Sequence, residues 1–407
     1  MKARFDFVGL RGLKWTLIPI FAGWTALAQP SFNSTSTGSD GALNLTTQGT
    51  ILFDPTTFTP PLNPSGNNIY NFTTITIGAG VTVRLSGRNL TGPIYWLATG
   101  AVTIAGTLDL SGEAGGNTSN SEETRSPAYG GAGGYTGGQG GRPGNPAVPP
   151  TPGNGPGGGA AAPAGGNGAA GTFAGTNVYL VPLVGGSGGG GGVAYDANTV
   201  GGGGGAGGGA VLIASSASIS INGKILVQGG TGGTCPYTYV TGCGGSGSGG
   251  AIHLIAPAVS GNGTLSTSAY YATTAGEIRI ETASYPNSLT LTSPYTVSST
   301  PNLYLPATPP PTLTVVSVGG VSLPAVPTGS FTVPDANINS SAAIPVVIQA
   351  ANIPPGTVPT LQFFSDVGGT DFSVTVPALT GTLAQSTTTV QVTFPAGFTR
   401  GYVLASW

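Results

Sequence analysis

The sequence predicts an all-β protein: a right-handed parallel β-helix (solenoid) with long Gly-rich insertions, followed by an antiparallel Ig-like β-sandwich. Two observations predict this fold class. Short alternating apolar stretches recur between glycine-rich blocks, and a proline-rich segment separates them from a glycine-poor run of short strands. Alternation with a period of two marks a strand with one buried face. Repeated units of this kind bury their apolar faces by stacking on one another.

The repeat begins with a glycine, a variable residue and two apolar residues one position apart. This pattern occurs in GPIYWLA from Gly92, GAVLIAS from Gly209, GAIHLIA from Gly250 and GEIRIET from Gly276. The apolar pairs are Ile94/Trp96, Val211/Ile213, Ile252/Leu254 and Ile278/Ile280. The first three copies agree again at a turn glycine followed by an apolar residue, in Gly106/Leu108, Gly223/Ile225 and Gly263/Leu265.

The fourth copy continues more weakly, with YPNSLTL from Tyr285, and a degenerate leading copy is TITIGAGVTVRLSG from Thr74. The unit is therefore a strand–turn–strand of about 20 residues, a length typical of solenoid repeats. It predicts a solenoid over residues 71–300. A β-sandwich of ordinary hairpins is the alternative, but the aligned registers favour stacking.

Glycine-rich blocks at about 112–208 and 229–250 begin after equivalent strands, which predicts insertions from one edge of the solenoid. A nucleotide site is excluded because strands, not helices, follow the glycines. Asp196 is the only acid between Tyr129 and Gly209, which excludes calcium-binding repeats, and the collagen period slips at Thr136. Extended segments of polyproline-II type, packed side by side, remain one interpretation. A flexible loop is favoured, because ordering glycine has a high entropy cost.

Residues 1–28 have the features of a secretory signal peptide. Basic residues precede the apolar run WTLIPIFAGWTALA, which ends in the cleavage pattern Ala26-Leu27-Ala28. A transmembrane anchor is the alternative, but the run is short, and no membrane span is expected after cleavage. The signal carries four of the 11 basic and one of the 13 acidic residues, so the rest of the chain has a net charge of −5. This charge argues against nucleic acid and anionic membranes as partners.

Cys235 and Cys243 are the only cysteines. In an exported protein they predict a local disulfide. A metal site is the alternative, but it would need further ligands nearby, and the sequence offers none there. Neither a metal nor a cofactor is predicted.

The remaining segments complete the domain plan. Residues 29–70 form an N-terminal segment with a cap, which NNIYNFTT begins. Residues 301–312, PNLYLPATPPPT, read as an extended, semi-rigid linker. Residues 313–407 carry short alternating strands between Pro, Gly and Asn turns, which predicts the Ig-like sandwich.

No catalytic residue is predicted. The one histidine, His253, lies between inward-facing positions and is expected at the surface, in a ladder beside Leu212 and Arg279. A Ser-His-acid triad is the alternative and would need an orienting carboxylate. The acids available to a polysaccharide lyase or glycosidase are Asp109, Glu113, Glu277 and Glu281. Tyrosines near the glycine-rich edge either stack on sugar rings or, as favoured, pack the glycine loops.

The stretches GVTVRLSG, GAVTIAGTLDLSGEAGG and GGAVLIASSASISINGKILVQGGTGG, with long glycine runs between them, resemble the glycine-rich β-helical exported surface proteins of environmental bacteria of acidobacterial and myxobacterial type. The resemblance covers about residues 70–295. The tail, with VPTGSF and ANIPPGT, is similar to an Ig-like module of such proteins. The resemblance implies an extracellular structural or adhesive role and transfers no catalytic residue.

Two functions are therefore carried forward. The first is a secreted or cell-surface, non-enzymatic protein of bacterial type that contacts matrix polysaccharide, a surface protein or further copies of itself. The second is a polysaccharide-active β-helix enzyme. A flat-face binder such as an ice-binding protein is a lesser alternative, which a regular Thr ladder would indicate.

Overall fold

The computed structural model describes residues 32–118, 127–143, 148–175, 179–194, 196, 198–235, 241–270, 274–299, 301–306, 311–324, 334–365, 372–396 and 401–406. The predicted signal peptide lies outside these residues. Within them the regular structure is almost entirely β, with a short 3-10 turn at Pro55–Thr57. The predicted all-β class is confirmed.

Parallel strands form the first part of the chain. They are β1 (Gly41–Leu45), β2 (Gly49–Leu52), β3 (Ile69–Ile77), β4 (Val81–Arg84), β5 (Ile94–Ala98), β6 (Val102–Ile104), β7 (Thr107–Asp109), β8 (Ala210–Ser215), β9 (Ser218–Ile221), β10 (Lys224–Leu226), β11 (Ala251–Ile255), β12 (Ala258–Ser260), β13 (Thr264–Ser266), β14 (Glu277–Glu281), β15 (Thr290–Leu291) and β16 (Tyr295–Ser298). They pair in three ladders. The first is β3–β5–β8–β11–β14–β16, the second β1–β3–β6–β9–β12, and the third β2–β4–β7–β10–β13–β15.

The pairing registers confirm the alignment of the repeats. Equivalent apolar residues are direct partners in the first ladder, Ile94 with Val211, Val211 with Ile252, and Ile252 with Ile278. The residues after the turn glycines are partners in the third, Leu108 with Ile225 and Ile225 with Leu265. Each copy contributes three short strands where two were predicted, because the chain changes ladder at the turn glycine. Pairing also begins at Gly41, earlier than the predicted boundary at residue 71.

The apolar residues between the ladders form one core. Trp96 is fully buried, and its ring lies 5.5 Å from Phe53 and 6.0 Å from Phe72. Phe53 also packs against Tyr70 and Phe58, so an aromatic cluster closes the N-terminal end of the ladders. Burial of an aromatic ring of this size is worth about 3–5 kcal/mol when measured by truncation to alanine.

A second apolar layer covers the outer face of the first ladder. Tyr95, Leu97 and Leu212 are buried there against Leu180 and Leu183. The partly buried residues that complete this layer are Phe32, Phe173, Leu303 and Leu305. The first ladder is therefore covered on both faces, as is usual for parallel sheets.

The glycine-rich blocks are ordered in the described residues, so the favoured interpretation of a flexible loop is wrong. Their backbone N–H groups donate to carbonyls of other glycine-rich segments. Both blocks leave the third ladder, after β7 and β10, and return to the first, at β8 and β11, so the predicted common edge is confirmed. We call the mutually bonded segments the glycine bundle: 110–118, 129–142, 149–162, 168–172, 185–192, 200–209, 228–234 and 242–250.

The segment 201–209 lies at the centre of the glycine bundle. Its nine consecutive N–H groups all donate to carbonyl oxygens, at 2.7–3.0 Å, and they do so in strict rotation. The three acceptor segments are 135–141, 242–248 and 110–116. Carbonyl oxygens of segment 201–209 also accept hydrogen bonds from the N–H groups of segments 186–192 and 230–233. A rotation of this kind requires a chain that turns once every three residues, as polyproline II does. The alternative interpretation, extended segments packed side by side, therefore describes the glycine bundle.

The bundle needs glycine because the backbones approach closely. A Cβ atom at Gly204 would overlap the carbonyl oxygen of Gly189, and one at Gly207 would overlap that of Gly186. Gly203 faces a wider gap, where the nearest atom to a Cβ would be the Gly116 nitrogen at 3.2 Å. Ala206 lies three residues after Gly203, on the same side of the segment. It is the one residue of segment 201–209 with a side chain, and it is fully buried.

The C-terminal part forms two antiparallel sheets. Their strands are β17 (Thr312–Val318), β18 (Val321–Ser322), β19 (Ile344–Ala351), β20 (Thr360–Ser365), β21 (Phe372–Thr375), β22 (Thr380–Gly381), β23 (Ser386–Val392) and β24 (Gly401–Ser406). One sheet has the order β18–β17–β19–β23–β22 and the other β21–β20–β24. Val346 and Ile348 of the first share a buried core with Leu361 and Phe363 of the second. The two sheets are therefore packed face to face.

We expect Gly204→Ala to lower the free energy of unfolding by about 2 kcal/mol, a typical cost of overpacking a close-packed interior. Gly203→Ala is the matched control in the same segment. We expect its effect to stay below about 1 kcal/mol, because alanine also restricts the unfolded chain. Denaturant unfolding followed by tryptophan fluorescence measures both. Equal losses for the two variants would contradict the packing described for the glycine bundle.

Candidate functional site

The described ion pairs of the parallel region form two groups. The first, which we call the corner cluster, consists of Arg84, Arg88, Asp109, Glu113 and Tyr129. It forms because β4 and β7 are neighbours in the third ladder, where Arg84 and Asp109 are direct partners. Arg84 Nη1 donates to Asp109 Oδ2 at 2.6 Å. The residues that follow these strands then bring Arg88 beside Glu113.

A bidentate ion pair joins the second arginine and acid of the corner cluster. Arg88 Nε and Nη2 donate to the two Glu113 carboxylate oxygens, each at 2.8 Å, and its guanidinium lies 4.1 Å from the Tyr129 ring centre. Burial raises the pKa of Glu113, but the bonds from Arg88 and the Tyr129 N–H outweigh it, so the pKa is lowered overall. Glu113 thus stays ionised near neutral pH, unlike a general acid, whose pKa must be raised.

The second group, the buried cluster, consists of His253, Arg279 and Glu281 on the outer face of β11 and β14. His253 Nε2 lies 3.2 Å from Glu281 Oε1, to which Arg279 Nε donates at 2.5 Å. The Asn302 N–H donates to the other carboxylate oxygen, also at 2.5 Å. The Arg279 guanidinium lies 5.0 Å from the ring centre of Tyr179. Residues from distant parts of the chain thus cover this cluster.

The expectation of a surface histidine is wrong. Register places His253 beside Leu212 and Arg279, as predicted, but its side chain is 1% exposed and that of Glu281 is 2% exposed. The reason is the second apolar layer, which covers the outer face of this ladder. The orienting carboxylate of Glu281 lies 28 residues from His253 in sequence, so sequence proximity could not reveal it.

Burial lowers the pKa of His253, although the bond to Glu281 opposes this effect. The neutral ring donates its one proton from Nε2 to Glu281. Its Nδ1 is buried and has no hydrogen-bond partner in the described part of the chain. Burial raises the pKa of Glu281, but its bonds to His253 and Arg279 prevail and lower it overall. The buried cluster therefore holds one neutral imidazole and one ion pair.

Glu277 is the remaining acid among those considered for catalysis. It begins β14, and partial burial raises its pKa. Across the described ranges it makes no ion pair, and no group of three His, Cys, Asp or Glu residues there could hold a metal ion. A glycosidase uses two carboxyl groups that face each other. Asp109, Glu113 and Glu281 are instead each paired with an arginine.

The predicted disulfide between Cys235 and Cys243 is confirmed, with the two Cα atoms 4.7 Å apart. Cys243 lies in the glycine bundle, where its N–H donates to Asn167 and its carbonyl accepts from Gly168. These two hydrogen bonds tie the second glycine block to the first, whereas the disulfide closes a loop within the second block. In the portion of the chain that is described, no helix has the length and apolar character to cross a bilayer.

The tyrosines near the glycine-rich edge are placed differently from one another. Tyr129 lies half-buried beneath Arg88, so it packs within the corner cluster. Tyr135 and Tyr270 are exposed. Tyr195, Tyr237, Tyr239 and Tyr271 lie outside the described residues. Packing is thus observed for Tyr129, and the partly exposed Tyr135 ring also lies against Gly155 of the glycine bundle.

No known protein family, curated protein or solved structure matches the chain.

The stability of the fold is expected to fall on acidification, in two steps. Because the folded-state pKa of His253 lies below its ordinary value near 6.5, the unfolded chain binds more protons as pH falls through that value, and stability is lost. The lowered pKa of Glu281 gives a further loss below about pH 4.5.

His253→Gln separates the two steps, because the chain contains no other histidine. The variant should lose the dependence between about pH 7 and pH 5 and keep the loss at lower pH. Thermal unfolding midpoints at several pH values measure it. An unchanged midpoint of the natural protein between pH 7 and pH 5 would contradict the burial of a neutral His253.

Proposed function

We propose that the chain is a secreted or cell-surface structural or adhesive protein without enzymatic activity. One observation carries the proposal: three of the four acids considered for catalysis, Asp109, Glu113 and Glu281, are bonded in ion pairs with arginine. Groups engaged in this way serve structure. The chain's other hydrogen bonding is dominated by its own backbone, within the ladders and the glycine bundle.

The proposed architecture is a right-handed parallel β-helix that carries the glycine bundle along one edge, followed by an Ig-like sandwich. Support for the β-helix comes from three parallel ladders in which successive copies pair in register. Support for the Ig-like module comes from two antiparallel sheets with a common core. A stack of this kind is a rigid spacer that holds its edge and its terminal module away from a surface.

Export is part of the proposal and is supported by the disulfide, since disulfides persist in oxidising compartments. The contacting partner is proposed to be an extracellular polysaccharide, a surface protein or a second copy of the chain. Exposed Tyr135 and Tyr270 near the glycine-rich edge offer aromatic faces without charge, and such faces suit sugar rings. Nucleic acid is disfavoured as a partner by the net negative charge.

A polysaccharide-active enzyme is the second candidate, favoured only by Glu277, whose raised pKa is the property of a general acid. A single carboxyl lacks the second carboxylate that canonical glycoside hydrolysis requires. The proposal of a non-enzymatic protein therefore stands ahead of it.

Residues 29–407 should be mixed with plant, fungal and bacterial polysaccharides and assayed for released reducing ends and for co-sedimentation. We expect no release and stoichiometric binding to at least one polymer. Binding should weaken in Tyr135→Ala or Tyr270→Ala, and it should be unchanged in Leu383→Ala, a matched exposed residue of the sandwich.

Release of more than one end per protein, lost in Glu277→Gln, would refute the non-enzymatic proposal. Glu113→Gln serves as the control, because its carboxylate is already occupied by Arg88. If the protein neither binds nor cleaves any polymer, the partner must be a surface protein or a further copy of the chain.

A further inference from the structure

The two ends of the parallel stack differ. At the N-terminal end the aromatic ring of Phe53 is fully buried over Tyr70 and Trp96 and closes the core. At the C-terminal end the last strand is β16, where Tyr295 pairs with Ile278 and Val297 with Ile280. Tyr295 and Val297 therefore occupy the core-facing columns of the first ladder.

These columns are buried up to the last strand and then open to solvent. Ile278 and Ile280 are fully buried, whereas Tyr295 is 51% exposed and Val297 is 44% exposed. Leu291 continues the core column of the third ladder after fully buried Leu265, and it is only half-buried. Among the described residues no strand lies beyond β15 and β16, so the core ends there in an apolar face that is partly exposed.

The edge of the last strand is unprotected as well. Among the described residues β16 pairs only with β14, which leaves its other edge unpaired. Proteins usually protect such edges with charged side chains. Residues 282–334, which include β15 and β16, contain no charged residue. At the other end Asp40 precedes β1 and Asp54 follows β2, so that end carries two negative charges.

We infer that a second copy of the chain docks on this face through the same face of its own, tail to tail. The N-terminal end cannot supply the matching surface, because Phe53 closes its core and acids flank its strands. The C-terminal face supplies it, since two uncharged β16 edges can pair antiparallel about a two-fold axis. Tyr295 and Val297 of both copies would then enter one continuous core, and a closed dimer results.

The inference specifies contact between copies of the chain, which is one of the contacts in the proposed role. It rests on the proposed function only for the biological purpose of the dimer. A tail-to-tail dimer presents two glycine bundles and doubles the number of contact sites for a polymer. Linking two binding sites raises avidity without any new contact.

Sedimentation velocity of residues 29–407 tests the inference. We expect a dimer that becomes a monomer at the same protein concentration in Val297→Lys, with the dissociation constant raised at least about tenfold because a charge is buried at the interface. Leu52→Lys is the matched control. Leu52 is 57% exposed at the opposite end of the stack and points outward, in register with Arg84. The control should remain dimeric, and both variants should keep the far-UV circular dichroism spectrum of the natural protein, which shows that they are folded.

Cross-linking determines which ends meet. A short bismaleimide should link two copies of Tyr295→Cys, whose introduced cysteines meet at the interface, and should not link two copies of Leu52→Cys. The described residues contain no free cysteine, so the introduced one is the site of reaction. A monomeric natural protein at high micromolar concentration would overturn the inference. Equal loss of the dimer in Leu52→Lys and Val297→Lys would also overturn it, because that result indicates head-to-tail stacking.

The outcome is independent of the proposed function. Polysaccharide binding by a monomeric natural protein would refute the dimer and leave the adhesive role intact. A tail-to-tail dimer that cleaves a polysaccharide would refute the non-enzymatic role and leave the dimer intact.

Discussion

Backbone hydrogen bonds between segments without side chains are the interaction on which the remainder of the structure depends. In segment 201–209 every N–H finds a carbonyl on one of three neighbours, so a buried stretch of nearly bare backbone leaves no donor unsatisfied. Each such bond contributes about 1 kcal/mol net. This gain opposes the entropy cost of ordering glycine, which is the highest of any residue. The close approach of the backbones makes these hydrogen bonds possible, since a Cβ atom at Gly204 would push the segments apart.

The ladders and the glycine bundle support one another. Gly209 begins the return to β8 while donating to Leu110, the residue after β7, so the bundle is bonded to the rung that precedes and the rung that follows it. At the far side, hydrogen bonds join Cys243 of the second glycine block to Asn167 and Gly168 of the first, and the disulfide closes a loop beside them. A long insertion thereby becomes part of the scaffold. This continuity is what the proposed spacer role requires, because a flexible insertion would not hold its tyrosines at a fixed position.

Sequence patterning predicted the ladders well, because period-two alternation reports directly which residues face the core, as at Ile94, Val211 and Ile252. It predicted the disulfide for a similarly local reason. It failed for the glycine bundle, since glycines have no side chains whose pattern could reveal which neighbours they meet. It also failed for His253. The layer that covers this face of the ladder includes Leu180 and Leu183, which are remote in sequence, and only the fold brings them there.

Hydrogen–deuterium exchange of the peptide spanning residues 200–210 tests the central claim most directly. The account predicts that all nine amides from Gly201 to Gly209 exchange as slowly as those of the flanking strand β8, because each donates to a backbone carbonyl of the glycine bundle. The exposed turn at residues 286–288 is the internal reference for fast exchange. Exchange of segment 201–209 at the rate of that turn would contradict the account, because the glycine-rich insertion would then be a loop rather than a hydrogen-bonded bundle.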